Sequence, residues 1–319
     1  MSKHCQIMKR MKEFYELRSQ TYLTRRIPVI MRIDGKAFHT YTKNLDEPFD
    51  EGLIEDMQKT AIYLCKSIQG AKCAYVQSDE ISILITDYDT LQTDAWFGYN
   101  VQKMTSISAS LATSKFNQFR QIRNFLDKNN FFKRMLQEDF NIINAKGCFK
   151  HKGKVIQKFQ QEVGDLVLAN FDSRVFNCPK EEVSNYFLAR QKDAVKNSIS
   201  SLSQSLYSHS ELNRKNSNQK QEMCFQKGHN WNDLHFSKKR GSFIVKNTYV
   251  NDKLAFQEKY EYNIGDIWYQ ENNNRLLEWA ETTDGSVDWC DVKIEKIRSK
   301  WEVIETPLTF HHKNFEKWL

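Results

Sequence analysis

Ile27-Pro-Val-Ile-Met-Arg-Ile33 is an apolar, β-branched run that stops at Asp34-Gly35. It reads as a buried strand ended by a turn, with Pro28 tolerated because it stands at the strand's start. Two further short β runs, Ala74-Tyr-Val-Gln77 and Ile81-Ser-Ile-Leu-Ile85, flank the polar tip Ser78-Asp79-Glu80 and suggest a hairpin. Between these segments, Leu53, Met57, Ile62, Leu64 and Ile68 recur at helical spacing from Phe49 to Gln69, and Gly70 supplies the stop. This is the punctuation of a domain that mixes strands and helices.

The rest of the chain divides by composition. Tyr99 to Phe116 is rich in Ser and Ala and predicts a closely packed helix. From Gln118 to Gln160 seven Phe are interleaved with ten Lys and Arg against three acidic residues, a local balance equal to the +7 of the whole chain. Leu166 to Phe176 predicts a strand and Glu181 to Leu206 a helix, whereas the polar stretch from His209 to Gln221 predicts a loop. The expected organisation is residues 1–117 and 161–250 as the core, 118–160 as a basic, Phe-rich insertion, and 251–319 as an extension carrying most of the Trp.

With 40% apolar residues and only 4 Pro among 319, the chain has the composition of a folded protein. Its seven cysteines are scattered without a CxxC pair, against a disulfide framework or zinc ribbon. Cys148 and His151 are too few for a metal site. The basic N-terminus lacks a signal-peptide apolar stretch, and no run approaches membrane-spanning length. A cytoplasmic protein without membrane contact is expected, with mitochondrial import as the alternative.

Asp34 at a strand end and Asp79-Glu80 at a hairpin tip can hold two divalent ions against a triphosphate, because magnesium keeps most of its waters and needs few protein carboxylates. Asp-Gly and Ser-Asp-Glu are also ordinary turn strings, and on spacing alone a purely structural role is the commoner case. The longer strings reverse that weighting. Arg32-Ile-Asp-Gly-Lys-Ala-Phe-His39, Gln77-Ser-Asp-Glu80, Phe171-Asp-Ser-Arg174, Arg190-Gln-Lys-Asp193 with Asn197-Ser-Ile, Asn230-Trp-Asn-Asp233, Lys239-Arg-Gly241 and Arg298-Ser-Lys-Trp301 stand in this order. Together they resemble the tRNA-His guanylyltransferase family. The chain looks most like its guanylyltransferase-like branch, since the family string His-Ile-Asn-Asn-Leu-Tyr-Asn is replaced by Val195-Lys-Asn-Ser-Ile-Ser-Ser201.

The resemblance implies an α+β fold: a polymerase- or cyclase-like palm, antiparallel-rich with helices on one face, plus a C-terminal α/β extension. It implies two Mg²⁺ ions held by Asp34, the Gly35 carbonyl and Asp79, with Glu80 in support. Backbone amides of Gly35, Lys36, Ala37, Phe38 and His39 would face a triphosphate. Ser78 and Asn197 would contact nucleotide phosphates, and Lys103 a second triphosphate. The implied activity is template-directed 3′-to-5′ nucleotide addition to the 5′ end of tRNA, using ATP, GTP and other NTPs, in a homotetramer. The rival readings are addition of a single G to tRNA-His, a non-catalytic RNA-binding protein on the same palm and, more distantly, a nucleotide cyclase. Two departures stand out: Asp46-Glu47 precede Pro48 where relatives often carry a basic residue, so one expected phosphate contact is missing and whether Lys43 substitutes is left open, and Asn100 replaces an Arg one turn before Lys103. Trp268, Trp279 and Trp289 fit core or subunit contacts, and His311-His312 a solvated tail.

Overall fold

The computed structural model describes residues 3–128, 167–259, 275–277 and 289–304. The chain divides into two compact units, with boundaries after Val245 and after Glu302. The first unit begins with helix α1 (Lys3–Met11), then β1 (Val29–Gly35), the short α2 (Phe38–Tyr41) and α3 (Glu51–Ser67). The hairpin β2 (Ala71–Gln77) and β3 (Glu80–Ile85), the long α4 (Val101–Lys128) and β4 (Phe171–Asn177) follow. Helices α5 (Val183–Leu206), α6 (His209–Leu212), α7 (Ser217–Gln226) and α8 (Phe236–Arg240) lead to β5 (Ser242–Lys259), whose first residues pair with β2. In the second unit, β6 (Arg275–Leu277) pairs antiparallel with β7 (Trp289–Ile304), Leu277 opposite Val292.

The sheet of the first unit runs β4-β1-β3-β2-β5, antiparallel throughout. Side chains alternate across a strand, so the register assigns every residue to a face. Met31 and Ile33 of β1 stand beside Ile83 and Ile81 of β3. That face is covered by Met57, Ala61 and Leu64 of α3 and by Met104, Ala112 and Phe116 of α4, all fully buried. The small residues of α4 allow the close approach expected from its composition: Ser108 Oγ donates to Ser173 Oγ on β4 at 2.7 Å. This is the expected helical layer, and the α+β palm arrangement is present. A further long helix, α5, packs Val183, Phe187 and Ala194 against Ile30, Tyr75, Leu84 and Phe243 of the opposite face.

Two expectations need correction. His209 to Gln221 is not a loop: it holds α6 and the start of α7, each opened by a capping box, Ser208 with Glu211 and Asn216 with Gln219. Local capping sustains these short helices where apolar periodicity is weak. The chain also keeps its helical pattern at Gln118, because α4 continues to Lys128. Arg120 and Arg123 extend that helix for a structural reason. Asp56, 1% exposed, receives both guanidinium groups, Arg123 at 2.8 Å and Arg120 at 3.4 Å. Two of the ten cations of the basic segment therefore clamp α4 onto α3. From residue 129 onward that segment, with Cys148 and His151, lies outside the described residues, as do Trp268, Trp279, His311 and His312.

Phe116 joins this clamp to the end of β1. Its ring meets Phe38 at 5.7 Å, Tyr41 at 5.9 Å and Phe171 at 5.3 Å between centroids. Phe116→Ala would remove a fully buried aromatic ring and is expected to cost about 3–5 kcal/mol in urea unfolding. Phe116→Leu, which keeps most of the volume, should recover a good part of that loss.

Candidate functional site

Three carboxylates form one row across the sheet. Asp34 on β1 stands directly opposite Glu80 on β3 and opposite Asp172 on β4. Cross-strand neighbours of this kind keep their Cβ atoms about 5 Å apart. Two residues further back along the strands, a second row holds Arg174, Arg32 and Ser82. Arg32 reaches forward to Glu80, Nε to Oε2 at 3.7 Å, and to Asp34, Nη2 to Oδ2 at 4.0 Å. Arg174 Nε lies 3.4 Å from Asp172 Oδ1.

The hairpin tip is tied to the end of β1 by the main chain, the Gly35 amide donating to the Asp79 carbonyl at 3.1 Å. Ser78 turns the hairpin with φ +48°, a left-handed conformation that a two-residue connection requires. Gly35 is needed for space: a Cβ there would stand 2.2 Å from the Phe38 ring. Phe38 is buried among Tyr41, Phe116 and Phe171, which fixes the exit of the chain from the strand.

The carboxylates differ in their surroundings. Glu80, 7% exposed, is paired with Arg190 of α5, whose Nη1 donates to Oε2 at 3.0 Å. Burial pushes the Glu80 carboxyl above the usual range; Arg190 and Arg32 pull it back, and the Asp34 charge pushes it up again. Asp79 is also raised, first by burial and then by Asp34, against its own backbone amide and the Ser78 hydroxyl. Neither Asp34 nor Asp79 receives a guanidinium or ammonium hydrogen bond from the described residues.

These groups open into a cleft of about 600 Å³. Asp34, Ser78, Asp79 and Glu80 form one side, and Pro48, Phe49 and Asp50 stand before α3. Arg190, Asp193, Asn197, Ser200 and Ser201 of α5 form another side, and Lys238 and Lys239 of α8 complete it. Trp231 fixes α8 against α5: its Nε1 donates to Ser198 Oγ at 2.9 Å, and Ser198 Oγ donates to the Lys238 carbonyl at 2.6 Å. Lys238 pairs with Glu51 at 2.6 Å.

The residues singled out in the sequence are not all brought to this cleft. Asp34, Ser78, Asp79, Glu80 and Asn197 line it; Lys36, Ala37, His39, Lys43 and Lys103 do not. Within the turn after β1, the Gly35 and Lys36 amides are engaged, Lys36 with the Asn170 carbonyl at 2.8 Å. His39 is exposed and pairs its Nε2 with Thr40 Oγ1 at 3.1 Å. Lys103 lies exposed in the first turn of α4. Asn100, in place of an Arg, caps this helix by accepting from the Lys103 amide at 3.0 Å. Asp172, Arg190, Asp193 and Lys239 belong to recognised strings but carried no assigned role, and Lys238 stands just before one of them. The two-residue spacing of Arg32 to Asp34 and of Asp172 to Arg174 was the available signal, since it puts both pairs on one strand face.

A divalent cation fits this donor set. Among the described residues no group of three His, Cys, Asp or Glu forms a dedicated cage. Magnesium needs no such cage, because one or two carboxylates plus substrate phosphates satisfy it. Asp34 and Asp79, mutually repelling and without a cationic hydrogen-bond donor, offer that set, whereas Glu80 is already neutralised. Among the described residues no helix is long and apolar enough to cross a membrane.

The family model for Thg1, tRNA-His guanylyltransferase, matches residues 8–179, more than half of the chain. Among solved structures, a bacterial tRNA-His guanylyltransferase (Thg1)-like protein in complex with ATP is 41% identical, covering 75% of this chain and 88% of its own, with a TM-score of 0.60. A bacterial Thg1-like protein in complex with GTP is 35% identical, covering 95% of this chain and 93% of its own, with a TM-score of 0.59. Comparison with curated proteins finds no match. The ordered strings, the strand register that lines up their carboxylates and the match over residues 8–179 agree, and the chain belongs to the tRNA-His guanylyltransferase family.

Proposed function

We propose that this chain adds nucleotides to the 5′ end of tRNA in the 3′-to-5′ direction under the guidance of the opposite strand. The observation that carries this reading is the contrast between Asp34 and Asp79, which face one cleft without a hydrogen bond from any cation of the described residues, Arg32 standing 4.0 Å from Asp34, and Glu80, which Arg190 hydrogen-bonds at 3.0 Å. The solved relatives bound to ATP and to GTP support a nucleotide as the occupant.

In this reading Asp34, Asp79 and the Gly35 carbonyl would hold two Mg²⁺ ions, which would lower the pKa of the attacking hydroxyl and neutralise the leaving group. The 3′-hydroxyl of an incoming nucleotide attacks the phosphorus of an activated 5′ end. A P–O bond forms, pyrophosphate leaves a 5′-triphosphate end, and the hydroxyl proton passes to solvent. A 5′-monophosphate end is first activated by ATP or GTP: its phosphate oxygen takes the nucleotidyl group as pyrophosphate leaves, and AMP or GMP then departs when the 3′-hydroxyl attacks. Ser78 and Asn197 contact phosphates from the cleft wall. With the Gly35 and Lys36 amides engaged, the turn amides left to face the triphosphate are those of Ala37, Phe38 and His39, beyond the cleft's own lining. Glu80 holds the hairpin tip through its two arginines. The replaced string from Val195 to Ser201 lies on α5, with Asn197, Ser200 and Ser201 in the cleft wall, which favours 5′-end repair on several tRNAs over addition of one G to tRNA-His.

A panel of 5′-truncated tRNAs with each NTP and Mg²⁺ tests this. The expected products carry added 5′ nucleotides complementary to the opposite strand, and chelation of the metal abolishes them. A single G added to tRNA-His alone would establish the narrower activity, and salt-sensitive tRNA binding without label transfer a non-catalytic role.

Asp34→Ala and Asp79→Ala are each expected to lower turnover by about 10³-fold or more, the scale of a lost principal electrostatic stabiliser. Full activity in both variants would remove the metal assignment. Arg190→Met leaves Glu80 with the longer Arg32 contact as its one cationic partner among the described residues and should weaken Mg²⁺ affinity by roughly 10–100-fold, read as a rise in the half-saturating Mg²⁺ concentration. For Lys103→Ala, activation of 5′-monophosphate ends is expected to fall about tenfold, the scale of one charge-assisted hydrogen bond, while transfer to 5′-triphosphate ends persists.

A further inference from the structure

A second cavity, of about 510 Å³, lies along the same helix that walls the catalytic cleft. Gln204 of α5 lines both. Its other lining residues include Tyr207, His209, Arg214, Lys215 and Lys220, and no Asp or Glu lines it. Lys220 also links it to the first cleft, its Nζ lying 3.4 Å from Ser200 Oγ.

Several cations elsewhere in the first unit are consumed by carboxylates. Arg25 is paired with Asp87, Lys72 with Asp89, Arg123 with Asp56, Arg190 with Glu80 and Lys238 with Glu51. Among the described residues, no carboxylate lies within ion-pair distance of Arg214, Lys215 or Lys220. Three like charges around one concavity repel each other, and an anionic ligand offsets that repulsion. Tyr207 offers little to a stacked base, because Lys227 Nζ sits 3.8 Å from its ring centroid and its hydroxyl donates to the Met223 carbonyl at 2.6 Å. The chemistry is that of a phosphate cradle.

The distance identifies the source of the phosphate. From Arg190, which holds Glu80, to Gln204 is fourteen helical steps, about 21 Å. That equals roughly six phosphate spacings along one strand of a duplex. A nucleotide reacting at Asp34 and Asp79 does not reach so far, but a polymer whose end lies in the cleft does. Between the two sites α5 presents Asn197, Ser200, Ser201 and Gln204, uncharged polar side chains along which a strand can run.

We propose that Arg214, Lys215 and Lys220 bind the phosphate backbone of the RNA several nucleotides from its reacting 5′ end. This rests on the reading of the cleft as a site of 5′-end addition to RNA, and adds to it a distal, sequence-independent anchor. Phosphate contacts of this kind fix register and orientation and carry a salt-dependent share of the affinity.

The test uses the full chain, a transcribed tRNA lacking its first nucleotide and carrying a 5′-triphosphate, and the double variant Arg214→Gln/Lys215→Gln. Affinity for the tRNA is measured across a salt series, with GTP affinity and thermal unfolding measured in parallel. The variant is expected to bind the tRNA about tenfold more weakly at low salt. Its slope of log affinity against log salt should be shallower by roughly 1.5, from the loss of two phosphate contacts. GTP affinity, melting temperature and turnover at saturating tRNA should stay as in the wild type, and adding Lys220→Gln should deepen the RNA effect. A wild type that binds and extends the tRNA, with variants that match it in affinity and slope, overturns this proposal alone. Loss of GTP affinity with RNA binding intact also overturns it, because the cavity then holds a free nucleotide. A wild type that does not bind the tRNA overturns it together with the reading of the cleft.

Discussion

The main-chain bond from the Gly35 amide to the Asp79 carbonyl is the constraint on which the site depends. It joins the end of β1 to a hairpin tip more than forty residues away in sequence and fixes how far Asp34 stands from Asp79. The bond forms because β1 and β3 pair in one register, and a one-residue slip would turn every side chain to the other face. Burial sets that register. Met31 and Ile33 meet the α3 and α4 layer, and Arg32 and Asp34 are left on the face toward α5. Hydrophobic packing on one side of the sheet therefore positions the carboxylates on the other.

Crowding carboxylates on one edge is unfavourable, and the structure offsets only part of it. Arg190 and Arg32 converge on Glu80, the most enclosed of the row, where an unpaired charge would cost most. Asp172, more than half exposed, is left to water and Arg174. Burial first, and then repulsion from Asp34, keep the Asp79 carboxyl above its usual range. A site balanced for its own stability would hydrogen-bond a cation to this pair, closer than the 4.0 Å at which Arg32 stands from Asp34, as the clamp of Arg120 and Arg123 does on Asp56 within the helical layer. The difference between the two clusters separates structural charge pairing from charge held for a ligand.

Much of this arrangement was legible in the sequence, for identifiable reasons. Short apolar runs ended by turn residues located β1, β2 and β3, and the longer strings attached them to a family. Position along the chain cannot show which strands pair, so Asp172, adjacent to Asp34 only through the β1–β4 register, carried no role. Arg190 was likewise one polar residue of a helix until packing brought it to Glu80. Tertiary pairing also explains the misread boundary at Gln118, where a basic composition suggested a break. Arg120 and Arg123 are instead helical residues whose charges are consumed by a buried partner on α3. The stretch after His209 failed in the opposite way: its helices rest on capping boxes, a signal carried by Ser208, Glu211, Asn216 and Gln219 and not by apolar periodicity.

Helix α5 shows how one element serves both demands. Val183, Phe187 and Ala194 bury one stripe against the sheet, and Ile199 and Leu202 bury another against Cys224 and Trp231. What remains is a polar stripe from Arg190 through Asp193, Asn197 and Ser201 to Gln204, at the three- and four-residue spacing of one helix face. Residues on that stripe are excluded from the core by geometry, so their identity is open to selection for what passes over them. The replacement of the family string between Val195 and Ser201 falls on this helix, where Ile199 keeps the buried stripe apolar while Asn197, Ser200 and Ser201 face the cleft. A change of substrate preference can therefore occur here without disturbing the packing that aligns Asp34 with Asp79.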